Sequence, residues 1–250
     1  MTAQHDAASS AASASAGPAA PGVLSVRGLT VRYLNGPVAV RSVDLDAKPG
    51  SVTAIVGPNG AGKTTLLEAI AGRERRSSAR ILSGTVSLGD RDLTRLSVHK
   101  VSRVGVSLIP DRNKVFDDLS VDEHIKLSLL RLPRSRRESV RDDVLSAFPR
   151  VSAWLSRRGA QLSGGERQLA ALVISLCAEP SVLLIDEMSQ GLSPAAVSEV
   201  VGALHSLRGR DLAVVVVEQT TATAARVADT VLHFVRGAFA QMVPPDGEDA

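Results

Sequence analysis

Residues 57–65 form a glycine-rich segment that ends in a lysine and two threonines. A glycine, any four residues and then Gly-Lys-Ser/Thr is the pattern of a phosphate-binding loop, in which backbone N–H groups surround phosphate oxygens. The lysine of this pattern reaches the β- and γ-phosphates of a nucleoside triphosphate, and the next hydroxyl binds its Mg²⁺ ion. We therefore predict a site for a nucleoside triphosphate and magnesium, with these binding residues: Gly57, Pro58, Asn59, Gly60, Ala61, Gly62, Lys63, Thr64 and Thr65.

The sequence on either side of this loop has the required context. Residues 51–56 are a short β-branched apolar run, which predicts a strand, and residues 64–71 have the composition of a helix. The alternative is a glycine-rich turn that matches the pattern by chance, and the flanking strand and helix argue against it.

A pair of carboxylates follows a second apolar run. Residues 182–185 predict a buried strand, and Asp186 and Glu187 end it. Asp186 can hold Mg²⁺ through water, and Glu187 can act as the general base toward an attacking water. Because such a pair is also common at strand ends and helix caps, this interpretation depends on its position after the phosphate loop.

A third motif, Leu162-Ser163-Gly164-Gly165-Glu166-Arg167-Gln168, predicts a helix whose start carries a serine and two glycines. A helix start of this kind is a second anion-binding cradle. With these three motifs the chain resembles the ATP-binding cassette (ABC) ATPases, whose dimers hold each ATP between the phosphate loop of one subunit and the Leu-Ser-Gly-Gly signature of the other. The resemblance extends from about residue 23 to residue 242.

The resemblance implies ATP and Mg²⁺ as cofactors and an α/β fold, a P-loop NTPase cassette with a mixed, largely parallel core sheet, an N-terminal antiparallel β subdomain and a small helical subdomain. It also implies that Tyr33 stacks on the adenine ring. The signature residues would contact the γ-phosphate of an ATP bound by a partner subunit, and they are Ser163, Gly164, Gly165 and Glu166.

Three further segments narrow the resemblance. Many cassettes have a glutamine before the helical region, where this chain has Ile109-Pro110-Asp111-Arg112, and most have a switch histidine where it has Gln219 after Glu218. The loop Gln190-Gly191-Leu192-Ser193-Pro194 lacks a common aspartate. These segments resemble the ATP-binding subunits of uptake systems for branched-chain amino acids and related amides. The resemblance thus implies Asp111 as a metal ligand with Thr64 and Asp186, and Gln219 as a catalytic residue with Lys63 and Glu187.

The chain also departs from the family's pattern. Met188 stands where a proline usually follows the glutamate, Ile174 where the signature helix usually has an arginine, and Asp111 is shorter than the usual glutamate. Gln219 cannot carry a proton or a positive charge as histidine can. We therefore expect slow hydrolysis at the site built on this chain's phosphate loop.

Pattern and composition predict one domain at residues 23–242 between an Ala/Ser-rich disordered tail, residues 1–22, and an acidic tail, residues 243–250. Antiparallel strands are predicted at residues 23–33 and 39–47, and further strands at 81–88, 104–110 and 213–218. Helices are predicted at 93–101 and 194–207, with a helical subdomain at about 121–160 in which Trp154 packs.

Composition limits the classes of function. The formal charge is +3 and the pI about 9.4, but acidic residues alternate with the basic runs, and only 2% of residues are aromatic. We therefore expect solvated basic surfaces and no nucleic-acid partner. No apolar run approaches the roughly 18 residues of a membrane span. The single cysteine, Cys177, is expected to be a buried apolar residue in a reducing, cytoplasmic compartment.

The function expected from the resemblance is ATP hydrolysis by a peripheral subunit on the cytoplasmic face of the plasma membrane. Its partners would be a second ABC ATPase subunit, in a homodimer or heterodimer, and separate integral membrane permease subunits that take up branched-chain amino acids or related amides. Two alternatives stay open: a slow or degenerate regulatory cassette in a heterodimer, and a soluble ABC ATPase that acts outside transport.

Overall fold

The computed structural model describes residues 22–74, 78–112 and 114–240. Both predicted tails, apart from Gly22, lie outside these residues, as do residues 241–242 of the predicted domain. The strands of the described part are β1 (Leu24–Tyr33), β2 (Val38–Ala47), β3 (Val52–Val56), β4 (Ala79–Leu88), β5 (Arg91–Asp92), β6 (Val106–Ile109), β7 (Val182–Asp186), β8 (Ala213–Glu218), β9 (Thr230–Val235) and β10 (Ala238–Phe239). The α-helices are α1 (Lys63–Ile70), α2 (Val98–Val104), α3 (Val121–Leu129), α4 (Arg137–Ala147), α5 (Pro149–Ser152), α6 (Gly164–Leu176), α7 (Pro194–His205) and α8 (Thr221–Ala225).

The N-terminal strands form an antiparallel sheet in the order β2-β1-β4-β5. Alternate residues of β1, such as Leu24 and Val26, are fully buried, which is the period expected of a strand with one face on the core. Gly28 adopts a positive φ of 56°, at an irregularity in the pairing of β1 with both of its neighbours. The predicted antiparallel subdomain is therefore present.

The second sheet has the order β10-β9-β3-β8-β7-β6, and only β10 runs antiparallel to its neighbour. Every residue of β3, β7 and β8 is buried, as expected of strands covered on both faces. Because these strands are parallel, their carboxyl ends lie at one edge of the sheet. The predicted fold class is confirmed, and the edge brings together the loops after β3, β7 and β8.

The helix predicted at residues 93–101 is placed too early. Helix α2 begins at Val98, after Ser97, because Thr94 bonds to the Asp92 carboxylate through its N–H (2.8 Å) and its hydroxyl (2.5 Å). These bonds form a turn after β5 that a helix could not contain. The helix continues to Val104 and ends at Gly105, whose φ is 110°, so the strand predicted from residue 104 begins at Val106.

Helix α6 packs against α3, α4, α5 and α7, and so joins the helical region to the core. Trp154 is 8% exposed, and the guanidinium groups of Arg150 and Arg157 lie 5.5 and 6.0 Å from its ring centroid, which confirms its packing role. Cys177 is fully buried, and burial raises the pKa of its thiol to about 12, as expected of an unreactive core residue. Within the described residues, no helix has the length and apolar character needed to cross a bilayer.

The packing of α6 generates a prediction about stability. Leu172 is 1% exposed in the core that surrounds this helix, whereas Leu130 is 60% exposed. Leu172→Ala should lower the free energy of unfolding by about 2–5 kcal/mol, because it leaves a cavity. Leu130→Ala should change it by less than about 0.5 kcal/mol in the same urea titration. Equal effects of the two substitutions would contradict the placement of α6.

Candidate functional site

The phosphate loop connects the end of β3 to the first turn of α1, and it lies tightly against neighbouring backbone. A Cβ atom added to Gly57 would come within 2.0 Å of the Phe234 carbonyl oxygen, and one added to Gly62 within 2.1 Å of the Ala39 carbonyl oxygen. Gly62 also has a φ of 103°, which strongly favours glycine. These two glycines let the loop curl between β2 and β9 with its N–H groups at the start of α1.

The ammonium group of Lys63 lies inside this loop. The residue is 4% exposed, and its Nζ donates hydrogen bonds to the carbonyl oxygens of Gly57 (2.8 Å) and Pro58 (3.0 Å). Burial lowers the pKa of Lys63, while the carboxylates of Glu187, Asp186 and Glu218 act in the opposite direction. A cation is therefore held in the curve of the loop and opposite a group of carboxylates.

Thr64 and Asp186 bring two hard oxygen donors together. The Thr64 hydroxyl donates to Asp186 Oδ1 at 3.1 Å, and Asp186 is 4% exposed at the end of β7. Burial raises the pKa of Asp186 to about 6, against the effect of the Thr64 hydrogen bond. Asp111 and Glu187 are close enough to raise this pKa further, although no hydrogen bond joins Asp111 to Asp186.

This donor set is compatible with magnesium. The described residues contain no cluster of three or more His, Cys, Asp or Glu side chains able to hold a metal by themselves. Mg²⁺ does not need such a cluster, since it commonly takes one or two protein carboxylates and completes its shell with water and phosphate oxygens. Thr64 and Asp186 therefore fit an ion that is shared with a bound nucleotide.

Glu187 and Gln219 meet above the ends of β7 and β8. Glu187 has a φ of 50°, uncommon for a residue other than glycine, and its N–H donates to the Val217 carbonyl at 3.1 Å. Gln219 Nε2 donates to Glu187 Oε2 at 2.9 Å. The structure thus brings two predicted catalytic side chains into direct contact, although they lie 32 residues apart in sequence.

Tyr33 lies at the end of β1 and is 36% exposed. Its hydroxyl is 2.7 Å from the hydroxyl of Thr65, which is 3% exposed in the first turn of α1. This hydrogen bond fixes the phenol next to the phosphate loop. Adenine stacking by Tyr33 stays a prediction.

The signature segment begins α6 with a capping box. Ser163 Oγ accepts from the Glu166 N–H at 3.4 Å, and the Glu166 carboxylate accepts from the Ser163 N–H at 2.8 Å. Arg157 also binds this carboxylate at 2.8 Å and, with the Ser163 bonds, lowers its pKa to about 2. Glu166 is therefore engaged in holding the start of the helix, and its predicted contact with nucleotide stays untested.

Gly165 has a packing role as well as its predicted binding role. A Cβ atom there would lie 2.6 Å from the Cβ of Ala196 in α7, so the absence of a side chain lets α6 and α7 approach closely. The predicted residues Ser163 and Gly164 remain at the amino end of α6, where backbone N–H groups are available to an anion.

Sequence reasoning missed Lys114. Its Nζ donates to the side-chain oxygen of Gln168, which is 1% exposed in α6. Burial lowers the pKa of Lys114, and four carboxylates raise it: Asp111, Asp186, Glu187 and Glu218. A second cation therefore lies opposite the carboxylates. The sequence offered little sign of it, because the segment that contains Lys114 was interpreted only through Asp111 as a metal ligand.

The chain is similar to known proteins in sequence and in fold. Residues 40–190 match the family described as ABC transporter. The chain is 35% identical over 199 residues to the probable branched-chain amino acid transport ATP-binding protein LivF of Archaeoglobus fulgidus, covering 79% of this chain and 82% of that protein. It is 30% identical over 191 residues to the high-affinity branched-chain amino acid transport ATP-binding protein BraG of Pseudomonas aeruginosa, covering 76% and 80%. It is 29% identical over 205 residues to the glutamate/aspartate import ATP-binding protein GltL of Escherichia coli K12, covering 80% and 83%.

Solved structures share the fold. The ADP conformation of MJ1267, an ATP-binding cassette of an ABC transporter, superposes with a TM-score of 0.76 at 18% identity, covering 88% of this chain and 89% of that one. The dimeric bacterial ABC transporter cassette MJ0796 superposes with a TM-score of 0.73 at 19% identity, covering 87% and 97%. The matched segment, the relatives and the phosphate-loop geometry together show that this chain belongs to the ABC transporter family, as one of its ATP-hydrolysing ATP-binding subunits.

Proposed function

We propose that this chain binds MgATP at the edge formed by β3, β7 and β8, and that its hydrolysis of ATP powers a separate membrane permease. The observation that carries the proposal is that Lys63 and Thr64 of the phosphate loop lie close to Asp186 and Glu187 at the end of β7. A cation, a carboxylate able to hold a metal and a second carboxylate able to accept a proton are the parts that phosphoryl transfer to water requires.

Each part has a separate task in the proposed reaction. Lys63 and the loop N–H groups hold the β- and γ-phosphates, and Thr64 and Asp186 hold Mg²⁺. The bound ion would neutralise charge that develops on the phosphate oxygens. Tyr33 stacks on the adenine. Asp111 forms no hydrogen bond with Asp186, and its negative charge acts electrostatically on the metal site.

Glu187 accepts the proton of the attacking water. Gln219 binds only Oε2 of its carboxylate, and Oε1 has no hydrogen-bond partner among the described residues. One oxygen is thus oriented by the amide while the other is available to a water molecule.

The substrate proposal is import of branched-chain amino acids or related amides. It rests on two relatives, LivF and BraG, that are named for branched-chain amino acid transport, while a third relative, GltL, is named for glutamate/aspartate import. The chain would pair with a second cassette and bind permease subunits at the cytoplasmic face of the membrane. Uptake of branched-chain amino acids and of small amides by cells lacking this gene tests the proposal, and unchanged uptake of both classes would contradict it.

A second candidate function is a slow regulatory cassette. The observation that favours it is Gln219 at the position next to the base, since an amide cannot take up a proton during the reaction. In this case ATP binding to the chain would persist while most turnover takes place at the partner's phosphate loop.

The assignment of the base predicts the effect of Glu187→Gln. This substitution should slow ATP hydrolysis by roughly 10²–10⁴-fold and leave ATP binding intact, because it removes the proton acceptor without changing the phosphate loop. Steady-state ATPase assays and nucleotide titration measure the two effects. Glu138→Gln, an exposed change in α4, is the control and should leave both unchanged. A wild-type rate in Glu187→Gln would assign the base elsewhere.

The raised pKa of Asp186 predicts a pH-dependent change in stability. Its folded-state pKa of about 6 lies above the ordinary value of 3.8, so its ionisation opposes folding as pH rises through this interval. Asp186→Asn removes that charge and keeps an acceptor for Thr64. Without metal or nucleotide, the substitution should raise the free energy of unfolding by about 1–3 kcal/mol at pH 8 and by little at pH 4.

Denaturant titrations at several pH values measure this difference, and magnesium-dependent ATP hydrolysis should be lost in the same variant. A variant that is less stable than wild type at pH 8 would contradict the assigned charge state.

Gln219 stands where most cassettes have a switch histidine, and this predicts that the two ATP sites of the cassette pair differ in activity. In an assembled transporter, Ser163→Arg should abolish most ATPase activity, because it blocks the signature that completes the partner's site. Lys63→Ala should cost less, although loss of its charge-assisted contact weakens ATP binding to this chain by about 1.5–3 kcal/mol. Ser139→Arg, on the exposed side of α4, controls for an added charge. A larger loss in Lys63→Ala, or fast hydrolysis by a homodimer of this chain alone, would contradict the asymmetry.

A further inference from the structure

Glu218 is a buried carboxylate that has no part in the proposed reaction. It is the last residue of β8 and is 2% exposed, and no described lysine or arginine forms an ion pair with it. Both of its oxygens accept from Ser189, whose N–H binds Oε1 at 3.1 Å and whose Oγ binds Oε2 at 2.8 Å. Burial raises the pKa of Glu218, against the effect of these hydrogen bonds and of the Gln219 backbone N–H. Burying a carboxylate without an ion-pair partner costs free energy, so we asked what Glu218 contributes to the site in return.

Ser189 lies in the loop that carries Glu187. The residue between them, Met188, is fully buried, and the residue before them, Asp186, is the last of β7 and pairs with Val217. Both neighbours of the Glu187 segment are therefore held in place: Asp186 by its pairing with β8, and Ser189 by its hydrogen bonds to Glu218. A non-glycine residue at a φ of 50° needs such support, since this conformation costs free energy.

Three successive residues at the end of β8 each hold a different part of this loop. The Val217 carbonyl accepts from the Glu187 N–H, the Glu218 carboxylate accepts from Ser189, and the Gln219 amide donates to the Glu187 carboxylate. The Glu218 carbonyl oxygen also accepts from the N–H of Gly57, the first residue of the phosphate loop, at 3.3 Å. Glu218 thus connects the phosphate loop and the loop of the proposed base through one residue.

We propose that Glu218 is a positioning residue for ATP hydrolysis, which fixes Glu187 by binding the backbone and side chain of Ser189. The inference rests on the proposed role of Glu187 as the base. Glu218 does not touch the reacting atoms, so it acts through the loop at residues 187–189. Its loss should lower kcat and leave ATP binding nearly unchanged, because the binding groups lie on the phosphate loop.

The test compares two substitutions at one position in the full-length chain. Glu218→Gln keeps the pair of hydrogen bonds, because the amide accepts from the Ser189 N–H and donates to Ser189 Oγ, and kcat should stay within about threefold of wild type. Glu218→Ala removes both bonds, and kcat should fall about 10–100-fold, the range expected when a reacting group is displaced by about 1 Å. KM for ATP should change by less than about threefold in both variants if Glu218 acts only after binding.

Two further measurements separate positioning from general stability. Amide hydrogen exchange at residues 187–189, measured without nucleotide, should accelerate in Glu218→Ala and not in Glu218→Gln. Val216→Ala, a buried change in the same strand, should lower the melting temperature without selective loss of kcat. An equal fall of kcat in Val216→Ala and Glu218→Ala at matched stability would overturn the proposal, as would an equal fall in Glu218→Gln and Glu218→Ala.

A double-mutant cycle separates this inference from the assignment of the base. If Glu218 acts through Glu187, then Glu218→Ala should produce little further loss in a Glu187→Gln background. Undiminished loss in that background would overturn the positioning role. A wild-type rate in Glu187→Gln alone would overturn the assigned base and the inference with it, whereas a slow Glu187→Gln together with a wild-type Glu218→Ala would overturn the inference alone.

Discussion

Charge balance at the carboxyl edge of the core sheet is the constraint on which the site depends. Asp186 and Glu218 end two adjacent buried strands, Glu187 follows Asp186, and the cations opposite them are Lys63 and Lys114. Burial disfavours a charged carboxylate and a charged ammonium group alike. Attraction between the two opposite charges offsets part of this cost. Phosphates brought to this edge would add negative charge, which a divalent cation would offset.

The strands determine how accurately these charges are placed. Parallel pairing sets Val56 opposite Glu218 and Asp186 opposite Val217, so the loops after β3, β7 and β8 begin at the same level. Because both faces are covered, β7 and β8 must be apolar up to their last residues, Asp186 and Glu218. The uninterrupted apolar runs of the sequence therefore serve the geometry of the site as much as the stability of the core.

Local sequence patterns predicted much of the fold and part of the site. The phosphate loop and the carboxylate pair could be found because each is a short segment whose spacing carries its chemistry. The predicted start of α2 was wrong because the hydrogen bonds between Thr94 and Asp92 compete with helix formation. The spacing of apolar residues alone does not reveal these bonds.

Contacts between distant segments that no motif connects could not be predicted. The bond from Lys114 to Gln168 spans 54 residues, and the bonds from Ser189 to Glu218 span 29. Both depend on strand register and helix packing, which no local pattern specifies. Glu166 was considered only as a nucleotide contact, although Ser163 and Glu166 have the local spacing of a capping box and Arg157 also engages the carboxylate.

Gln219 separates two tasks that a histidine could combine. Its amide can orient Glu187 by donating one hydrogen bond, but it cannot relay the proton that Glu187 would accept. The groups proposed to bind ATP, namely Lys63, Thr64 and Asp186, are unaffected by this difference. In the proposed pair, an ATP held between two subunits stabilises their association by its differential affinity for the associated state, whether or not it is hydrolysed. Nucleotide occupancy at this chain's loop can therefore contribute to assembly while the faster chemistry takes place at the other site.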